Sequence, residues 1–189
     1  MSKQLLVEQD YIDAAKELNV EVAMIKALAK KEARGAGFLK TGEPRILFER
    51  HKFHQKTKGL HSVKYPDISN AKAGGYGKES SQHDRLGKAV VLNRSAALES
   101  ASWGLFQVLG ENWKSLGYQS IQEFVNAMYK SEKEQLDAFI RFIKVNRIDV
   151  DMRAKNFRNI ARKYNGPAYE KNNYHTDLEK FYKEFASKA

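Results

Sequence analysis

Apolar residues recur at helical spacing through most of the chain. Tyr11, Ile12, Ala15 and Leu18 mark a helix over 10–18 that Asn19 closes, and Val22, Ile25, Leu28 and Ala29 form the stripe of a second over 21–33. Glu32 stands four residues after Leu28 and seven after Ile25, which puts a carboxyl on the buried edge of that stripe at the helix C-terminal end. Gly42-Glu43-Pro44 signals a turn, and Arg45 to Phe53 reads as a short extended piece leading into a helix that ends near Lys58-Gly59. Residues 60–86 are rich in Gly, Ser, Tyr and Lys without a period, which predicts irregular surface with at most a small hairpin. A long insert of that kind in a compact domain is more often functional than idle. The helical pattern resumes from Asp84 to Leu98 with an interruption at Asn93, and then returns over 121–129 with Phe124, Val125 and Met128 inward. Ser131 and Glu134 form a capping box before Leu136, Phe139, Ile140 and Ile143, and Thr176 and Glu179 form another before Leu178, Phe181, Tyr182 and Phe185. Between them, Asp151–Tyr164 reads as one helix stopped by Asn165-Gly166-Pro167. No repeat, low-complexity tract or linker divides the chain, so the pattern predicts one mainly α domain.

Composition narrows the function classes. At 189 residues with 42% hydrophobic and 30% charged residues, the chain suits one well-buried soluble domain. It has no cysteine, which excludes disulfides, thiolate nucleophiles and cysteine-ligated metals. The net charge of +10 favours polyanionic partners, whether nucleic acid, anionic lipid or bacterial wall, without choosing among them. The first ten residues carry acids where a secretory segment needs an apolar run, and no stretch approaches the roughly 18 apolar residues of a membrane span. The reading is a protein made soluble, with export supplied from elsewhere.

Several residues carry candidate chemistry. Desolvation of Glu32 on an apolar helix edge should raise its pKa and let it act as a general acid toward a leaving alkoxide; the alternative is an ion pair with Lys30, Lys31 or Arg34. Glu49, after Ile46-Leu47-Phe48, is either a second cleft carboxylate or the partner of a neighbouring arginine. In Ser100–Gly110, Ser102, Trp103, Gly104 and Gln107 suit a ligand surface, with an aromatic to stack on a sugar or base and a glycine that admits close backbone approach. A core helix with a glycine at a close packing point fits the same stretch. Tyr164 and Asn165 read either as a helix cap or as side chains pointing back across a groove. His51, His54 and His61 lack a third ligand at a recognised spacing, so neither metal nor cofactor is expected. Gly74-Gly75-Tyr76-Gly77-Lys78 is rejected as a phosphate loop because Glu79 stands where Ser or Thr is needed and no strand precedes it.

In this order, Glu32 in Lys30–Gly35, Gly104-Leu105-Phe106-Gln107-Val108 and Lys163-Tyr164-Asn165-Gly166 resemble the signature shared by goose-type lysozymes and soluble lytic transglycosylases. More closely, Pro44-Arg45-Ile46-Leu47-Phe48-Glu49-Arg50-His51-Lys52-Phe53 and Ser100-Ala101-Ser102-Trp103-Gly104-Leu105-Phe106-Gln107 resemble the N-acetylmuramidase domain of bacteriophage endolysins. The resemblance spans nearly the whole chain. It implies a lysozyme-like fold and a peptidoglycan hydrolase cutting the β-1,4 bond after N-acetylmuramic acid, with Glu32 as the catalytic acid. Ala33 departs from the serine usual after that glutamate. Glu49, the candidate base, has no counterpart in the transglycosylases. The chain leaves no room for a separate wall-binding module, so the catalytic domain must hold the substrate itself.

The nearer alternative is a transglycosylase, which leaves a 1,6-anhydro end. The farther one is a basic nucleic-acid-binding helical protein, against which the basic residues are dispersed and no nucleic-acid motif is present. In the endolysin reading the expected partner is peptidoglycan, with no specific nucleic acid, and the protein is a monomer. It waits in the host cytoplasm for holin-dependent release. Lys180, Lys183 and Lys188, opposite the apolar face of the last helix, offer anionic outer-membrane lipid as a further partner, beside a plain packing role for that helix.

Overall fold

A computed structural model describes residues 3–32, 36–166, 169–170 and 173–188, with Asn165 described by its backbone alone. Helices α1 (Glu8–Leu18) and α2 (Val22–Glu32) are followed by strand β1 (Ile46–Phe48) and helix α3 (Arg50–Lys56). An irregular stretch leads to a 3-10 turn at Glu79–Ser81, then α4 (Gln82–Leu92) and α5 (Arg94–Glu99). Strands β2 (Ala101–Trp103) and β3 (Val108–Leu109) precede a second 3-10 turn, and the rest is α6 (Ile121–Lys130), α7 (Glu132–Val145), α8 (Ile148–Arg153), α9 (Phe157–Asn165) and α10 (Tyr174–Ala186).

Helix α2 is the hub. Ala23, Met24, Ile25, Ala27, Leu28 and Ala29 are all buried, a wider apolar surface than one stripe, because α1 packs on one side and α10 on the other. Small alanines let those neighbours approach closely. Glu32 is the last residue of this engulfed helix.

The three strands form one antiparallel sheet in the order β1-β2-β3, pairing Ile46 with Trp103, Leu47 with Ser102, and Trp103 with Val108. Gly104 to Gln107 close the β2–β3 hairpin. Both end residues of that turn lie in the left-handed region, Gly104 at φ 71° and Gln107 at φ 48°. A Cβ on Gly104 would stand 2.6 Å from the Gln135 side chain, so the close approach glycine permits here is to α7 and not to a ligand.

Other boundaries moved for local reasons. The expected helix over 151–164 is two helices, α8 and α9, because Lys155 turns left-handed (φ 51°) and the Asn156 side chain caps α9 by accepting from Asn159 N at 3.1 Å. Helix α10 begins at Tyr174 rather than Thr176; Asn173 (φ 49°) is its cap residue, while Thr176 donates to Asn173 O and Glu179 pairs with Lys183. The Ser131 cap of α7 forms, accepting from Glu134 N at 3.2 Å, and Asn93 caps α5 as the interruption there suggested. Residues 60–78 are irregular, and two side chains of α4 hold them: Arg85 donates to the carbonyls of Asp67, Gly75 and Tyr76, and Gln82 to those of Tyr76 and Lys78.

Candidate active site

A cleft of about 890 Å³ opens at the C-terminal end of α2, lined by Lys31 and Glu32, by Arg45, Ile46 and Leu47 of the β1 approach, by Ser102 and Gln107 of the hairpin, and by Tyr174. The irregular insert supplies its far rim through Gly77, Glu79 and Gln82.

The Glu32 carboxyl is partly exposed in this cleft and is fixed from behind. The Tyr174 hydroxyl, on a side chain only 4% exposed, donates to Glu32 Oε1. Tyr164 stands beside Tyr174 with ring centroids 5.9 Å apart, and its hydroxyl donates to Phe106 O at 2.7 Å. Edge-on contacts to Phe139 and Phe142 of α7 set the Tyr164 ring. Burial first, and the Glu32 charge second, push both phenols well above the ordinary tyrosine value. Each therefore stays neutral, Tyr174 donating to the carboxyl and Tyr164 to the Phe106 carbonyl. Lys31 does not pair with Glu32; its ammonium binds Asp177 at 2.6 Å and lies over the Tyr174 ring.

Strand alternation separates the hairpin residues. Ser102, paired with Leu47, faces the cleft, whereas its neighbour Trp103 turns into the core, 1% exposed, with its indole N–H donating to Leu98 O at 3.1 Å. The sugar-stacking role expected of Trp103 thus has no surface to act on. Gln107 lines the cleft with its amide nitrogen tied to Gly104 O at 2.8 Å. Glu49 precedes α3 and sits behind Ser102: the Ser102 hydroxyl donates to Glu49 Oε1 at 3.2 Å, and His51 Nε2 lies 3.7 Å from Oε2. Tyr164 supports the site from beneath, and the Asn165 side chain lies outside the described residues.

A polar clamp on α7 joins these pieces. The buried Glu132 carboxylate accepts Gly37 N at 2.7 Å and Leu6 N at 3.0 Å, and the buried Gln135 amide accepts Leu105 N at 2.7 Å while donating to Met128 O at 2.9 Å. Arg45 is stitched between the same two segments, its N–H donating to Gly37 O and its carbonyl accepting Gly104 N, both at 2.8 Å. The backbone at Gly37, the β1 approach and the hairpin are held in one register.

Sequence reasoning missed Tyr174, Arg45, Glu79, Glu132 and Gln135. Tyr174 was findable, since Tyr174, Leu178 and Tyr182 recur every four residues and extend the apolar face of α10 by one turn. Glu132 and Gln135 fall on the inward side of α7 beside Leu136 and Phe139, and a polar residue on a buried face is a signal in itself. Glu79 lies in a segment without periodicity and gave none.

A carboxyl on the wall of a polar cleft, held at one oxygen by a buried neutral phenol, is suited to general acid work on an extended polymer. Comparison with known proteins gives the family. The profile of the family Muramidase (N-acetylmuramidase) matches residues 21–186. Among solved structures, the crystal structure of the Burkholderia AP3 phage endolysin is similar at 37% sequence identity and a TM-score of 0.93, over 99% of this chain and 74% of that one. No curated protein sequence matches. With a family profile spanning most of its length and an endolysin sharing its fold from end to end, the chain belongs to the N-acetylmuramidase family of peptidoglycan hydrolases.

Proposed function

We propose that the chain hydrolyses the β-1,4 bond between N-acetylmuramic acid and N-acetylglucosamine, with Glu32 as the general acid. The observation that carries this reading is the placement of Glu32: one oxygen is held by the Tyr174 phenol, and the carboxyl opens into the cleft. The carboxyl proton passes to the bridging oxygen as the glycosidic bond lengthens, and the Tyr174 phenol stabilises the carboxylate that remains. Glu49 acts through Ser102. Because the Ser102 hydroxyl spends its proton on Glu49, its lone pairs are left to accept from a water in the cleft. As that water adds to the sugar carbon, its proton moves to Ser102 and the serine proton to Glu49. Ser102 and Gln107 bind the glycan from the hairpin side.

The setback of Glu49 from the cleft wall favours a second reading, a transglycosylase in which the sugar's own 6-hydroxyl attacks and no base carboxylate is needed. Mass spectrometry of muropeptides from purified wall separates the two. Hydrolysis by the wild type yields reducing muramic-acid ends, and Glu49→Gln is expected to lower their release about 10²-fold. Anhydro ends, unaffected by Glu49→Gln, would establish the transglycosylase instead.

Trp103→Phe tests the core placement. It is expected to lower stability by roughly 1–3 kcal/mol, from a lost indole hydrogen bond and an underfilled site, and to leave KM for purified wall unchanged. A raised KM in a variant of normal thermal midpoint would restore a substrate contact to Trp103.

No helix among the described residues is long and apolar enough to cross a membrane. We place the action of this monomer at the wall after holin-dependent release. Contact with anionic envelope lipid rests on the +10 charge, because α10 spends Leu178 and Tyr182 on the core and sets Phe181 and Phe185 against Lys30 of α2.

A further inference from the structure

Two charged side chains meet across the cleft. Arg45 Nε lies 2.7 Å from Glu79 Oε1, both line the cleft, and they differ in how firmly they are held. Arg45 is stitched at its backbone N–H to Gly37 and at its carbonyl to Gly104, so its backbone is fixed against both segments. Glu79 is the more exposed partner, 53% against 22%, and opens a single 3-10 turn after Gly74, Gly75 and Gly77, all at positive φ. An arginine on a backbone-anchored segment thus holds a more exposed carboxylate from the rim, inside the groove a polymer must occupy.

We propose that Arg45 is a substrate-recognition residue for a carboxylate on the muramyl peptide, and that Glu79 occupies this position until substrate displaces it. The inference rests on reading the cleft as the wall-binding groove. Its chemistry is specific: peptide-bearing glycan carries carboxylates beside the muramic sugar, whereas an unsubstituted N-acetylglucosamine polymer carries none. Exchange of one carboxylate for another at a guanidinium keeps the charge-assisted hydrogen bonds, so it costs little, while an uncharged strand must break the Arg45–Glu79 pair without replacing it. Lys31, the other cation among the described residues lining the cleft, is less suited, being bound to Asp177 and covering the Tyr174 ring.

The test compares native purified wall with the same wall whose carboxylates have been converted to amides, using wild type, Arg45→Gln and Glu79→Gln proteins checked for unchanged thermal midpoint. Wild type is expected to show a KM about tenfold higher on the amidated wall. Arg45→Gln should raise KM on native wall by a similar factor and erase the difference between the two walls. Glu79→Gln, by removing the competitor, should lower KM on native wall. Opposite shifts from the two partners of one ion pair distinguish recognition from a structural role, which would move both in the same direction. Equal KM on both walls for wild type, or parallel shifts in the two variants, overturns the proposal. Wild type releasing no cut glycan from either wall overturns instead the reading of the groove on which it stands.

Discussion

Glu32→Gln is expected to abolish detectable release of muropeptides, with a loss on the order of 10²–10⁴-fold in kcat and little change in thermal midpoint. The amide is isosteric and still offers an oxygen to the Tyr174 hydroxyl, so the bracing contact survives while the transferable proton does not. The loss should therefore fall on kcat rather than KM, since ground-state contacts in the cleft are kept. Initial rates on purified wall, with circular dichroism of the variant, check this. A variant that folds and retains more than about a tenth of wild-type kcat removes Glu32 from the role of acid.

Glu132→Ala is expected to cost roughly 2–5 kcal/mol, because two amides, those of Gly37 and Leu6, lose one acceptor together and the first of these is buried. For a chain of this size that is a fall of about 5–15 °C in thermal midpoint. The effect should reach activity as well, since Gly37 also accepts from Arg45, and releasing it loosens the segment that follows Glu32. Thermal and urea unfolding read the stability. A midpoint within a degree or two of wild type would mean that both amides find other acceptors and that the α7 clamp does not hold the site.

Much of the helical framework was legible because amphipathic periodicity is a local property. The stripes over Ile25–Ala29, Phe124–Met128 and Leu136–Ile143 each identified a helix, and Glu32 stood out as a carboxyl on such a stripe. Of the sheet, β1 was legible as the extended piece before α3, and the other two strands were not. Its strands are two or three residues long, too short for an alternation to declare itself, and each is specified by partners about 55 residues away or across a turn. The Ser102–Trp103 pair shows the cost of that ignorance: adjacent residues with similar apparent promise go to opposite faces once a strand is recognised, one to the cleft and one to the core. The break at Lys155 was hidden for another reason, since a lysine at positive φ leaves no compositional mark. The groove itself is a tertiary product, and Arg45 and Glu79 acquire meaning only when the rim closes over the hairpin.

The tie between Glu32 and Tyr174 spans 142 positions of the chain. Contacts of such separation form late, after local helices and hairpins, because the loop they close is long and its entropy must be offset by packing already in place. During synthesis the acid-bearing helix leaves the ribosome early and must wait for α10 to seat against it. The helix that covers the hub also carries the brace, so seating α10 buries α2 and brings Tyr174 to Glu32 together. A lytic enzyme assembled this way has no half-built form with a finished site, and the topology of the chain itself sets the moment at which it becomes dangerous to a wall.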